Sequence, residues 1–284
     1  MFGGSVSDTW ICRQLRETDR TEIARLIASS DVQARLYVRE AQAHDLWWFG
    51  SVARDGGLVG AALQVEGTTA TLIEAVPEAT HVLGHGLLQH QKMVGKDHGD
   101  RHVVRGPAAA MARFWQGFQH NGRKVVADRT ATLHAAVVAA PSRLDVRLAD
   151  VTDHKLVVEF LGEATLEARG FDPRRTGREA HERRCLQVLQ AGCAFVARDG
   201  GAAVLVAELG YPTADTALLE PWFVPRPLRS RKRLIAQALA PLPGLAAVAG
   251  RTLLAFADGP DLAEAMALAG WTARATYRTI EMQG

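Results

Sequence analysis

Apolar and polar positions along this chain follow a pattern that is laid down twice. The hexapeptide Val-Ala-Arg-Asp-Gly-Gly fills Val52–Gly57 and returns at Val196–Gly201. Apolar runs flank both copies: Leu46–Val52 and Leu58–Val65 in the first, Cys193–Val196 and Ala202–Leu209 in the second. Asp and Gly tolerate positive φ, so Asp-Gly-Gly between two such runs predicts a β-hairpin. Each hairpin has a similar lead-in, Arg13–Ile27 and Val146–Leu161. Each lead-in reads as a short strand, a Thr-Asp helix cap and an amphipathic helix. Two matches in the same order, about 140 residues apart, predict a structural repeat. Pro141–Ser142 is the natural break, giving an N-terminal domain 1–141 and a C-terminal domain 142–284.

The second half predicts strands at Asp145–Leu148, Cys193–Arg198, Ala203–Leu209, Thr216–Val224, Thr252–Ala257 and Ala273–Met282. Helices are expected over Asp153–Ala168, Arg175–Ala191, Lys232–Leu239 and Asp261–Ala269. Mixed strands and helices with hairpins indicate an α/β (α+β) fold with a mixed, partly antiparallel sheet in each domain, flanked by helices. The first half opens in the same way and then diverges. It has a His-rich stretch, a helix over Pro107–His120, and strands near Lys124–Ala127 and Thr132–Val138.

At 284 residues there is chain enough for two cores. A formal net charge of +2 supplies no general field for nucleic acid or membrane, so a nucleic-acid role is not expected. No apolar run reaches the roughly 18 residues of a membrane span. Met1–Trp10 lacks the basic-then-apolar pattern of a leader. The three cysteines, Cys12, Cys185 and Cys193, share no metal-like spacing and read as structural thiols. These points together lead us to expect a cytoplasmic protein.

Residues 145–284 resemble a GNAT N-acetyltransferase domain. The strand-helix-helix-hairpin opening carries part of the likeness. The segment Glu220-Pro-Trp-Phe-Val-Pro-Arg-Pro-Leu-Arg229 resembles the fourth strand of that fold running into its phosphate loop. Gly259-Pro-Asp-Leu-Ala-Glu-Ala-Met-Ala-Leu-Ala-Gly-Trp271 resembles its late helix. The whole chain is similar to a bacterial subgroup with an uncharacterised domain before the GNAT domain, through Val104–Trp115 and Ala191–Gly200. The resemblance implies tandem GNAT-like domains, the first degenerate. It also implies acyl transfer from acetyl-CoA to an amine acceptor that the motifs leave open.

Such a loop reads R-x-x-G-x-G/A. Its backbone N–H groups hold pyrophosphate at a helix start, where the dipole favours an anion. Glycines there admit the phosphate where a Cβ would clash. Here the overlay falls on Arg229-Ser-Arg-Lys232-Arg-Leu234. Arg229 fits, while Lys232 and Leu234 replace the glycines. Side-chain capture would then replace backbone capture, and Val224, Arg226, Arg229, Ser230, Arg231, Lys232 and Arg233 are the candidate cofactor-binding residues. Cations crowded at a helix N-terminus oppose its dipole, by roughly 0.3–1 kcal/mol each, and a bound polyanion would relieve that cost. The resemblance puts the base that deprotonates the amine at Glu220, beside Trp222 and Phe223. The family's thiolate-protonating tyrosine falls on Met266, which has no proton to donate. Its late asparagine falls on Gly259 or Asp258.

Other groupings are weaker. His81, His85, His90, His98 and His102 cluster without an acidic or cysteine ligand, so a solvated helix-loop and no metal site are expected. Asp45–Gly50 is aromatic-dense and reads as core. Arg174-Arg175 and Arg183-Arg184 interleave with Glu179 and Glu182 as a solvated face, or else meet an acidic acceptor. Two functions emerge. One is an acyl-CoA-dependent N-acetyltransferase with a degenerate phosphate loop. The other is a catalytically silent GNAT-fold protein whose basic loop recognises a nucleotide, CoA or a protein partner.

Overall fold

The computed structural model describes residues 10–29, 49–65, 69–94, 102–120, 122–169, 171–210 and 215–283. The chain divides into two compact units, Met1–Thr130 with Thr276–Gly284, and Ala131–Ala275. The repeat read from sequence changes over at Pro141–Ser142, whereas the compact units cut the chain at different points.

Unit 1 contains β1 (Trp10–Gln14), α1 (Arg20–Ser29), β2 (Phe49–Ala53), β3 (Leu58–Val65), β4 (Thr69–Glu74), α2 (Thr80–Val94), β5 (His102–Pro107), α3 (Ala108–Phe118) and the first half of β6 (Lys124–Ala136). Unit 2 contains the end of β6, β7 (Asp145–Leu148), α4 (His154–Arg169), α5 (Pro173–Thr176), α6 (Arg178–Gln190), β8 (Ala194–Asp199), β9 (Ala202–Gly210), β10 (Thr216–Phe223), α7 (Lys232–Leu239), β11 (Thr252–Ala257) and α8 (Pro260–Leu268). The last strand, β12 (Thr272–Gln283), ends in unit 1.

Strand order is β1-β2-β3-β4-β5-β12 in unit 1 and β7-β8-β9-β10-β11-β6 in unit 2. The two orders correspond strand for strand. Each unit runs antiparallel through four strands, then has one parallel pair, β4 with β5 or β10 with β11. Each closes on an antiparallel strand taken from the far side of the sequence boundary. Tyr277–Met282 pairs with His102–Pro107 in unit 1, and Thr132–Ala136 pairs with Leu253–Ala257 in unit 2.

Local chemistry explains why the two halves start alike. In unit 1, Arg13 donates to both Asp19 carboxylate oxygens at 2.7 and 2.5 Å, and Asp19 also accepts the Arg16 amide at 2.6 Å. In unit 2, Arg147 donates to Asp153 at 2.7 and 3.2 Å, and Asp153 accepts the Asp150 amide at 3.1 Å. The Asp of each Thr-Asp pair thus ties the first strand to the first helix. The hairpin glycines Gly56, Gly200 and Gly201 have φ of +89°, +52° and +88°, which a side chain would resist.

The unit 1 core packs Met111, Phe114 and Phe118 of α3 and Leu83 and Leu87 of α2 on Leu72, Val104, Ile280 and Met282. Unit 2 has a core on each sheet face. Ile235, Leu239, Met266 and Trp271 cover Leu219, Leu253 and Ala255 on one side. Val157, Leu161, Cys185 and Leu189 cover Val196 and Val206 on the other. Each such side chain stabilises by about 1.5–3 kcal/mol on full burial. The strands expected near Lys124–Ala127 and Thr132–Val138 form one strand, because the charges between them have partners: Arg278 holds Asp128 at 2.9 and 2.6 Å. Cys185 is buried, and burial pushes its thiol up to about 11, so it stays protonated.

Candidate functional site

The crevice in unit 2 begins with a proline in the middle of a strand. Leu219 pairs with Leu209, and the next pair is Trp222 with Ala207. Two residues of β10, Glu220 and Pro221, therefore face one of β9, Glu208, which is a β-bulge. Pro221 has no N–H to give a ladder, and the bulge accommodates it. The Glu220–Pro221 peptide is cis. On the other side, β10 and β11 are in parallel register from Thr216↔Thr252 to Leu219↔Ala255. Among the described residues no further rung joins them, although the strands run on to Phe223 and Ala257. The carboxyl ends of parallel strands that diverge in this way are where open α/β sheets bind ligands.

That divergence leaves backbone groups in need of partners. One is met by a side chain: the Trp222 indole N–H donates to the Phe256 carbonyl at 3.0 Å. Trp222 thus bridges the two strands where their ladder has ended. Glu220, the candidate base, is half-buried at the bulge. The buried carboxylate opposite it is Glu208, which takes both Arg184 hydrogen bonds at 2.8 and 2.7 Å. Burial pushes the Glu208 pKa up, against the pull of Arg184.

The candidate phosphate loop runs from Val224 into α7. Val224 is buried in the core, and its carbonyl accepts from Arg229 Nε at 3.0 Å. The loop turns back on itself, with the Leu228 amide bonded to Pro225 O, Arg229 to Arg226 O and Arg231 to Leu228 O. The amides of Ser230, Lys232 and Arg233 have no backbone partner among the described residues. They stand at the helix start, where an anion would be favoured.

Three of the five cations already hold an anion of the protein. Arg226 Nε and an Arg229 terminal nitrogen reach the two oxygens of Glu167 at 2.8 and 2.6 Å. Burial raises the Glu167 pKa, but the hydrogen bonds from Arg226 and Arg229 outweigh it and hold the carboxyl below its usual range. Lys232 Nζ lies 2.5 Å from Glu264 and 3.1 Å from Asp261, both on α8. Arg231 and Arg233 make no ion pair among the described residues. Arg229 also sits 5.3 Å from the centre of the Phe223 ring. Leu234, standing at the second glycine position, packs against the core.

No protein-family model matches the chain, and no curated protein matches it significantly. Solved structures do. A GCN5-related N-acetyltransferase from Sphaerobacter thermophilus covers 97% of this chain with 96% of its own at TM-score 0.58 and 18% identity. A GNAT-family acetyltransferase from Colwellia psychrerythraea covers 96% with 98% of its own at TM-score 0.56 and 15% identity. A tandem GNAT protein from the clavulanic acid biosynthesis pathway covers 96% with 98% of its own at TM-score 0.51 and 13% identity. This chain has a tandem GNAT fold.

Within that GNAT frame, some expected residues come together and others do not. Arg226, Arg229 and Lys232 converge at the start of α7, each on a carboxylate. Met266, at the tyrosine position, is fully buried among apolar side chains. Gly259 caps α8 with φ of +91°. Arg174, expected on a solvated face, is instead bound by Asp172, Glu159 and Glu163, and Arg184 is bound by Glu208. Among the described residues no group of three or more possible ligands could hold a metal ion, and no helix is long and apolar enough to cross a membrane. His81 and His85 lie on exposed positions of α2, while His98 and Asp45–Trp48 lie outside the described residues. Sequence reasoning missed Glu167, Asp261 and Glu264 as loop partners, and Trp222 as the bridge. The acidic start of α8 was the visible hint, since it faces the cationic start of α7.

Proposed function

We propose that the second unit is a GNAT-fold binding module that accepts a phosphate-bearing anion at the start of α7 while its acyl-transfer crevice is shut. The chain then acts as a binding or regulatory protein and not as an acyltransferase. The observation that carries this reading is the Trp222 indole bonded to the Phe256 carbonyl. A thioester reaching from phosphates at α7 to an amine beside Glu220 would have to pass between β10 and β11, where that indole lies. The buried Met266 supports the same reading, because it offers no proton to a leaving thiolate. The three amides without a backbone partner among the described residues, with Arg231 and Arg233 beside them, support anion capture. CoA and nucleotides are the ligand classes that fit.

One feature favours the second reading, an acyl-CoA-dependent N-acetyltransferase using Glu220. The bulge and the strand divergence are both kept, and only side chains fill them. Calorimetric titration with CoA, acetyl-CoA and ADP, followed by assay of free thiol with amine acceptors, separates the two. The binding reading expects heat from at least one phosphate ligand, similar heats for CoA and acetyl-CoA, and no thiol above the uncatalysed rate. A site at ten times its Kd would stabilise the protein by about 1.4 kcal/mol in a thermal shift. Thiol release that disappears in Glu220→Gln would overturn it in favour of the enzyme.

A further inference from the structure

The Arg226–Arg229 fork in unit 2 is filled by an anion drawn from the protein itself. Glu167 stands near the end of α4, far in sequence from the loop, yet its two oxygens are divided between the two guanidiniums at 2.8 and 2.6 Å. Its side chain is only 24% exposed. A bidentate anion with one oxygen for each arginine is also the form in which a phosphate would be taken up. The loop does not need Glu167 to stay ordered, because Arg229 is tied separately to the Val224 carbonyl and lies against Phe223. Lys232 repeats the arrangement with Asp261 and Glu264 of α8.

We propose that Glu167 is a built-in competitor for the anion site and the residue that sets how strongly a ligand must bind to enter it. It occupies the arginine fork as a carboxylate of single charge, and a ligand must displace it to enter. The competitor weakens every anion by the same factor, so at modest concentration only one that binds the fork strongly, such as a diphosphate group, occupies it. This rests on the anion-binding reading given above. Two consequences follow from the geometry. Ligand entry frees Glu167, so the end of α4 senses occupancy. Removing the Glu167 charge raises affinity, where removing an ordinary ligand-contacting residue would lower it.

The test uses the full chain and inorganic pyrophosphate, with sulfate as the weaker anion, titrated calorimetrically in metal-free buffer. Glu167→Gln is expected to bind pyrophosphate about 10-fold tighter than the unaltered protein, the scale of one charge-assisted hydrogen bond released. Sulfate should gain by a similar factor, because a competitor that must leave before either anion enters weakens both alike. Glu167→Asp, with its charge drawn back by one methylene, should fall between the two. Arg229→Ala in the Glu167→Gln background should erase the gain. Matching thermal melts for the single variants would show that the fold is kept. If pyrophosphate binds the unaltered protein in an Arg229-dependent way and Glu167→Gln binds it no tighter, the competitor role is wrong while the anion site stands. If neither protein binds pyrophosphate, the anion site falls and the competitor role falls with it.

Discussion

The two units build the same crevice and close it by different means. In unit 1 the parallel pair ends its register at Thr71↔Arg105, and in unit 2 at Leu219↔Ala255. Both fourth strands then reach a Val-Pro step, Val76-Pro77 and Val224-Pro225. After Pro77 the chain enters α2 at Thr80 with no room for a phosphate loop, whereas after Pro225 it runs on to Lys232 before α7 starts. In unit 1 the helices that flank the crevice meet backbone to backbone. A Cβ on Gly84 would strike the Phe114 carbonyl, and one on Gly117 would strike the His81 carbonyl. Glu74, bound by Arg113 and by Thr80 at 2.5 Å, caps the end. At the same distances from their helix starts, unit 2 has Ala236 and Ala269. These line an open groove of about 420 Å³ with Arg233, Gln237 and Leu268. Closure in unit 1 is thus built into the backbone packing. Closure in unit 2 rests on the side chains of Trp222, Glu167 and Lys232. The difference teaches that a repeat can keep its topology while only one copy keeps a crevice that side chains alone could open.

The largest effect should come from removing the strand that unit 1 takes from the C-terminus. Ending the chain after Ala275 deletes Tyr277, Ile280 and Met282, which are 2%, 1% and 1% exposed, together with the register to β5. At about 1.5–3 kcal/mol per side chain, the loss is comparable with the whole stability of a domain, about 5–15 kcal/mol. Hydrogen exchange should show amide protection lost in β4, β5 and α3 and retained in β8, β9 and β10. Equal loss in both units would break the assignment of β12 to unit 1.

Next in size is Gly84→Ala. On an open helix this change would stabilise by about 1 kcal/mol. Here the added methyl meets backbone, so a net cost of about 2 kcal/mol is expected from overpacking. Ala236→Gly in unit 2, next to the open groove, should cost no more than the propensity difference of about 1 kcal/mol. Chemical denaturation of each variant checks the contrast, and a neutral Gly84→Ala would mean that the unit 1 helices separate readily.

Much of this architecture is legible in the residues. The Asp-Gly-Gly turns, the Thr-Asp caps and the amphipathic period of Lys232–Leu239 are local signals, and each produced the expected element. The strand exchange is not local. Tyr277–Met282 alternates like any half-buried strand, and alternation names a face without naming a neighbour. The fate of the basic loop was hidden for the same reason. Crowded cations imply a nearby anion, and Arg226, Arg229 and Lys232 each lie against one. Whether the anion is a ligand or Glu167, 62 positions from Arg229, depends on tertiary packing. Pro221 was a clue of intermediate range, because a proline in a central strand predicts a bulge.

The smallest effect compares the one motif that the units share almost atom for atom. Asp19 depends on Arg13 and the Arg16 amide, while Asp153 has Arg147, the Asp150 amide and a second guanidinium, Arg198 at 2.8 Å. Arg13→Ala leaves a buried carboxylate with one amide, and about 2 kcal/mol should be lost, less than a fully buried pair would cost because Arg13 is 39% exposed. Arg147→Ala leaves Asp153 still paired with Arg198, so about 1 kcal/mol is expected. The acid limb of stability gives a second reading of the same difference. Burial raises the Asp153 pKa, but hydrogen bonds from Arg147 and Arg198 overcome it and bring it to about 2 from 3.8. A carboxyl lowered on folding stabilises fully above its unfolded pKa, and that stability is lost as pH falls from about 4 to about 2. The lost term is about 2 kcal/mol for Asp153. Arg147→Ala should therefore flatten the acid limb only in part, and Arg147→Ala with Arg198→Ala should flatten it nearly completely. A single Arg147→Ala that abolishes the limb would mean that Arg198 contributes nothing, and the two openings would then be equivalent in energy as well as in form.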